Sequence, residues 1–157
     1  IEVVTAGLDA QPVKASRGMT LLPDMTLDMA LQQRFDMVVL PGGLPGADHL
    51  GDDPRVIRLL QDMAASEAYT AAICAAPRVL AHAGLLDGKR ATSYPGALDI
   101  EAIPGIQYLE AAVVTDGRVI TSRGSGTAMD FALALIQQLA GKAKRDEVEA
   151  PLQRPAV

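Results

Sequence analysis

Tyr69-Thr70-Ala71-Ala72-Ile73 runs directly into Cys74, and Ala75-Ala76-Pro77-Arg78-Val79-Leu80 follows. The first five residues are mostly small or β-branched, the composition of a buried strand. Pro77 fits a first helical turn, where its missing N–H costs nothing. The only cysteine of the chain therefore stands where a strand breaks into a helix. A thiol at such a junction has helix-terminal amides beside it, and these favour the thiolate, the nucleophilic form. A lone cysteine is more often inert packing. Its position at the junction is what marks Cys74 as functional.

Outward from this junction, strand and helix patterns alternate. Asp36-Met37-Val38-Val39-Leu40 is a continuous apolar run, ended by Pro41-Gly42-Gly43. Pro54 opens a helix with Val56, Leu59, Leu60 and Met63 at helical spacing. Ile1 to Ala6 reads as a strand, and Val13 to Ser16 and Met19 to Leu22 as two strands about Arg17-Gly18. Leu27 to Gln33 reads as a short helix, and Lys89 to Thr92 as a further short strand. Asp116-Gly117 joins two β-branched runs in a hairpin. Thr127 to Leu139 is a helix with Met129, Leu133 and Ile136 on one face, and Thr127 with Asp130 resembles a capping box. Such alternation predicts an α/β fold with a mainly parallel sheet covered on both faces, over one domain spanning 1–157. Ligands of such sheets sit beyond the carboxyl ends of the strands.

Composition narrows the function. The net charge is −5 and no Lys/Arg block is present, which disfavours a nucleic-acid surface. Aromatics are only 3% of residues, too few for a base-stacking platform. No Cys/His cluster has zinc-site spacing, so no metal is expected. No apolar run approaches the ~20 residues of a membrane span, and there is no signal-peptide pattern, so a cytoplasmic setting is expected.

Gly42, Gly43 and Gly46 allow a backbone to approach a ligand closely and to present its N–H groups. Alone, the loop is no more than a tight turn. Paired with a nucleophile at the neighbouring strand end it makes an oxyanion site, with Gly43 and Ala75 expected to supply the amides. The motifs Ala15-Ser16-Arg17, Val39-Leu40-Pro41-Gly42-Gly43, Ala71-Ala72-Ile73-Cys74-Ala75-Ala76-Pro77 and Thr121-Ser122-Arg123-Gly124-Ser125-Gly126-Thr127 are co-linear. With them the chain resembles the ThiJ/PfpI superfamily, in the branch of the Parkinson-disease protein deglycase. The resemblance implies a flavodoxin-like three-layer sandwich, a homodimer and a reactive elbow cysteine. It also implies glyoxalase or deglycase chemistry, of lyase or hydrolase type, on methylglyoxal or its glycated adducts without a cofactor. The family's alternative role is a redox-responsive, stress-protective chaperone or sensor working through a cysteine sulfinate. Arg17 matches a family arginine near the site and the dimer interface, where it would hold an anion; as a plain turn residue it would be solvated.

Two departures from the family pattern matter. Its first strand and helix, which carry a glutamate partnering the cysteine sulfur, match nothing in residues 1–157. The sequence therefore reads as N-terminally incomplete, completed by a longer chain or by a separate peptide. Tyr94 stands where some relatives place a histidine. His82, eight residues along the same helix, lies roughly 12 Å from Cys74, so a Cys-His hydrolase is not the expectation.

Overall fold

The computed structural model describes residues 1–154. In chain order its elements are β1 (Ala6–Gly7), β2 (Val13–Lys14), β3 (Thr20–Leu21), β4 (Met25–Thr26), α1 (Leu27–Ala30) and β5 (Met37–Leu40). Next come α2 (Gly46–Asp52), α3 (Pro54–Ala65), β6 (Tyr69–Ile73) and α4 (Pro77–His82). β7 (Arg90–Ala91), β8 (Gln107–Tyr108), β9 (Val113–Asp116), β10 (Val119–Ser122) and α5 (Ala128–Glu149) complete the order.

The central sheet has the order β5-β6-β10-β9. β5, β6 and β10 are parallel, and β9 joins antiparallel at the edge through the Asp116-Gly117 hairpin. The carboxyl ends of the three parallel strands, at Leu40, Ile73 and Ser122, therefore lie along one edge. Register divides the side chains between two faces. Leu40 and Ala72 join Val56, Leu60, Val79 and Leu80 in the larger core under α3 and α4, while Ala71, Ile120 and Phe131 form the smaller core under α5. The sheet is thus the middle layer of a flavodoxin-like sandwich.

Three elements differ from the sequence reading. Gly46, expected in the glycine loop, instead opens a helix over residues 46–52, held by packing of α2 on α4 and by an Arg78–Asp48 ion pair at 3.0 Å. The first strand is confined to Ala6–Gly7, paired parallel with β4, and its first residues Ile1 and Val3 are exposed. On α5 the buried residues are Phe131 and Leu133, whereas Met129 is exposed. Thr127 does not cap α5. Its hydroxyl accepts the Gly124 amide at 3.1 Å and lies 2.7 Å from the Ser122 hydroxyl, while Asp130 pairs with Arg154.

The β1–β4 pair is not hydrogen-bonded to the central sheet. A cleft of about 1620 Å³ opens at the start of β5, lined by Ile1, Val4, Phe35, Met37, Met63 and Leu139 among others. Val39 of β5, facing the α5 side with Ala71, is 41% exposed. The loop after β1 is nevertheless tied to α3. Arg55 donates to the Leu8 carbonyl at 2.9 Å, to Asp28 at 2.7 Å and to Asp53 at 2.6 Å. Asp53 caps α3 by accepting the Arg55 amide, and the Arg55 guanidinium holds the Asp53 carboxyl below its ordinary value. No helix among the described residues is long and apolar enough to cross a membrane.

Candidate active site

Cys74 follows the last residue of β6 and carries a φ of 64°. L-residues rarely adopt this left-handed region, and the cost is about 1–3 kcal/mol wherever the surroundings enforce it. Here two backbone hydrogen bonds enforce it. The Cys74 N–H donates to the Ser122 carbonyl at 2.9 Å, and the Cys74 carbonyl accepts the Tyr94 N–H at 2.9 Å. The chain then turns at once, with the Ala76 N–H donating to the Ile73 carbonyl at 3.1 Å, and α4 begins at Pro77. Ala76 and Pro77 are buried while Cys74 stays partly exposed at the packed elbow.

The glycine loop after β5 closes on this elbow. A Cβ on Gly42 would lie 2.5 Å from the Cys74 Cβ, 2.6 Å from the Ile73 carbonyl oxygen and 3.3 Å from the Ala75 nitrogen. No residue but glycine fits that approach. Gly43 has a φ of 95°, and its carbonyl accepts the Ala47 N–H at 2.8 Å, opening α2. The N–H groups of Gly43 and Ala75 have no hydrogen-bond acceptor among the described residues. The loop and the elbow therefore bring a thiol and unbonded amides to neighbouring strand ends.

The other sequence candidates fall at different places. Tyr94 lies at the elbow through its backbone, its ring beside Gly124 and more than half exposed. Arg17 is exposed at the β2–β3 turn and forms no ion pair among the described residues. The neighbouring Ser16 is the hairpin residue that meets the site: its hydroxyl would be 3.3 Å from a Cβ on Gly43. Sequence reading passed over Ser16 because the contact joins residues far apart in the chain. His82 is engaged elsewhere, its Nδ1 3.0 Å from the Gly51 carbonyl.

The DJ-1/PfpI family model matches residues 1–138, the span that holds the glycine loop, the elbow and β10. The chain belongs to the DJ-1/PfpI family. It is similar to protein dj-1beta of Drosophila melanogaster, at 45% identity over 150 residues that cover 94% of this chain and 80% of the relative. It is also similar to the Caenorhabditis elegans protein named glutathione-independent glyoxalase DJR-1.2, at 36% identity, covering 97% of this chain and 81% of the other. Among solved structures, oxidized Toxoplasma gondii DJ-1 superposes with a TM-score of 0.88 at 31% identity, covering 99% of this chain and 84% of that one. The flavodoxin-like fold is the DJ-1/PfpI fold, and a glyoxalase name occurs among its members.

Proposed function

We propose that this DJ-1/PfpI chain is a cysteine-dependent glyoxalase or deglycase acting on methylglyoxal or its adducts. The observation that carries the reading is the strained, partly exposed Cys74 beside the unbonded amides of Gly43 and Ala75. Strain of this kind, held by surrounding hydrogen bonds, collects at active sites. In the proposed cycle the Cys74 thiolate adds to the aldehyde carbon and the carbonyl π electrons move onto oxygen. Gly43 and Ala75 N–H groups stabilise that oxyanion. A proton then moves from the former aldehyde carbon to the neighbouring ketone carbon, giving a thioester of a 2-hydroxy acid. Water hydrolyses the thioester, releasing the hydroxy acid and restoring the thiol. With a glycated amine or thiol as substrate the carbinol C–N or C–S bond of the adduct breaks first. The carbinol oxygen re-forms the aldehyde, its proton passes to the released amine or thiol, and the free aldehyde then enters the same addition. No step calls on a metal or an organic cofactor.

The proton shuttle is the part of the cycle that no carboxylate bonded to Cys74 supplies among the described residues. The family resemblance gives that work to a glutamate on a strand–helix unit. Such a unit would fit the edge of β5 that no described strand pairs, where Val39 is uncovered. A second copy of the chain is the partner that the resemblance implies, and the β2–β3 hairpin offers it exposed Val13, Met19, Leu21 and Leu22. Arg17, on that hairpin, would hold an anionic group of a substrate near this interface.

Glutathione-free conversion of methylglyoxal to lactate, abolished by Cys74→Ser, tests the reading. Turnover retained by the serine variant would refute it. A second reading has its own support: Cys74 has no partner cysteine to resolve a sulfenic acid, and a similar protein has been solved in an oxidized form. In that reading peroxide drives Cys74 to the sulfinate and the protein acts as a sensor or chaperone without turnover.

A further inference from the structure

We propose that Tyr108 is a positioning residue for the oxyanion site, acting through the Ser93–Tyr94 segment on the Cys74–Ala75 peptide. The proposal rests on the assignment of Ala75 as an oxyanion donor and goes beyond it to the group that aims the donor. The Cys74 carbonyl and the Ala75 N–H belong to one peptide unit, and in a trans peptide the two point in opposite directions. Whatever holds the carbonyl therefore aims the amide. The holder is the Tyr94 N–H, at 2.9 Å.

The Tyr94 amide is itself carried on a segment with few anchors. β7 pairs with β8 only through Arg90–Gln107 and Ala91–Tyr108, followed by the Leu109 N–H donating to the Ala91 carbonyl at 2.9 Å. Beyond that the chain leaves the pairing. The Thr92 N–H is fixed by the Thr121 hydroxyl at 2.9 Å, and the Ser93 carbonyl by the Tyr108 hydroxyl at 3.1 Å. Ser93 is fully buried. The Ser93 carbonyl and the Tyr94 N–H again share one peptide unit. Tyr108 thus holds one end of a peptide whose other end holds the Cys74 carbonyl, and two peptide units pass the orientation from the phenol to Ala75. The Tyr108 ring packs against the larger core, so Tyr108→Phe removes one hydroxyl and keeps the packing.

The test uses the full chain with Tyr108→Phe and, as a control, Tyr69→Phe, whose hydroxyl lies 3.5 Å from Gln138 at the far end of β6. Two readouts are taken. The first is the rate of Cys74 alkylation by iodoacetamide, alone and with increasing pivalaldehyde, which forms a hemithioacetal but has no neighbouring ketone and does not turn over. The second is kcat and KM for methylglyoxal. Tyr108→Phe is expected to leave the bare alkylation rate unchanged. Aldehyde protection should weaken about fivefold, KM for methylglyoxal should rise with it and kcat/KM should fall about fivefold, the loss of one hydrogen bond's orientation. The control is expected to match the wild type in both. Equal aldehyde protection in Tyr108→Phe and wild type would overturn the proposal. Absence of turnover in the wild type would instead count against the glyoxalase reading, and the protection series would still decide the role of Tyr108.

Discussion

Replacing Gly42 by alanine probes the closure of the glycine loop on the cysteine elbow. The added Cβ would sit 2.5 Å from the Cys74 Cβ and 2.6 Å from the Ile73 carbonyl oxygen. Carbon atoms rest about 3.5–4.0 Å apart, so one side must retreat by about 1 Å. The elbow cannot retreat cheaply, because both the N–H and the carbonyl of Cys74 are hydrogen-bonded. Overpacking costs about 1–3 kcal/mol, and a clash against fixed backbone belongs at the upper end of that range. At about 3 kcal/mol, and about 2–4 °C per kcal/mol for a domain of this size, the melting temperature should fall by about 6–12 °C. Cys74 alkylation should change in rate as the elbow shifts. Gly46→Ala is the matched control: no atom lies within 4 Å of its Cβ position, and it opens α2, where alanine is the better helix former. Calorimetry and timed iodoacetamide labelling read both variants. A Gly42→Ala protein that melts with the wild type and labels at the same rate would refute the close-approach argument.

Two further expectations follow from charge and exposure. The Asp53 carboxyl is held below its ordinary 3.8 by the Arg55 guanidinium, so its contribution to stability is present above that value. It is lost as the pH falls through the lowered one. Asp53→Asn keeps a capping oxygen but loses the charge pair, so it should melt a few degrees lower than wild type at pH 6. That gap should narrow as melts are taken below pH 3.8 and close below the lowered value; a constant gap would contradict the assignment. Met19 and Leu22 are 66% and 77% exposed on the β2–β3 hairpin, and the Met19→Glu, Leu22→Glu double variant should convert the proposed dimer to a monomer in light scattering. A dimer that persists would move the interface elsewhere.

Much of the sheet was legible because local chemistry and tertiary demand agree there. Tyr69–Ile73 is apolar and β-branched, Pro77 stands at a helix start, Pro54 opens α3, and Asp116-Gly117 makes a hairpin. α2 was not legible, because Gly46 and Gly51 are poor helix formers and the segment is held by tertiary contacts with α3 and α4. The face of α5 was misread because periodicity locates a stripe without saying which neighbour covers it; Phe131 is buried against Ala71 and Ile120. The Thr127–Asp130 spacing fitted a cap, yet the hydroxyl serves Gly124 and Ser122, and the carboxylate serves Arg154. At the site, Cys74 and the glycine loop were readable as residue types. The positive φ of Cys74, the Ser16 contact and the Tyr108–Ser93 hydrogen bond were not, since they depend on residues far apart in sequence.

In the proposed cycle one thiol carries the chemistry. Its most direct test is a titration of the protein with limiting iodoacetamide, measuring in each sample the fraction of Cys74 alkylated by peptide mass spectrometry and the remaining methylglyoxal turnover. A straight line that reaches zero activity at complete alkylation of Cys74 is expected. Turnover that survives in fully alkylated protein would contradict it.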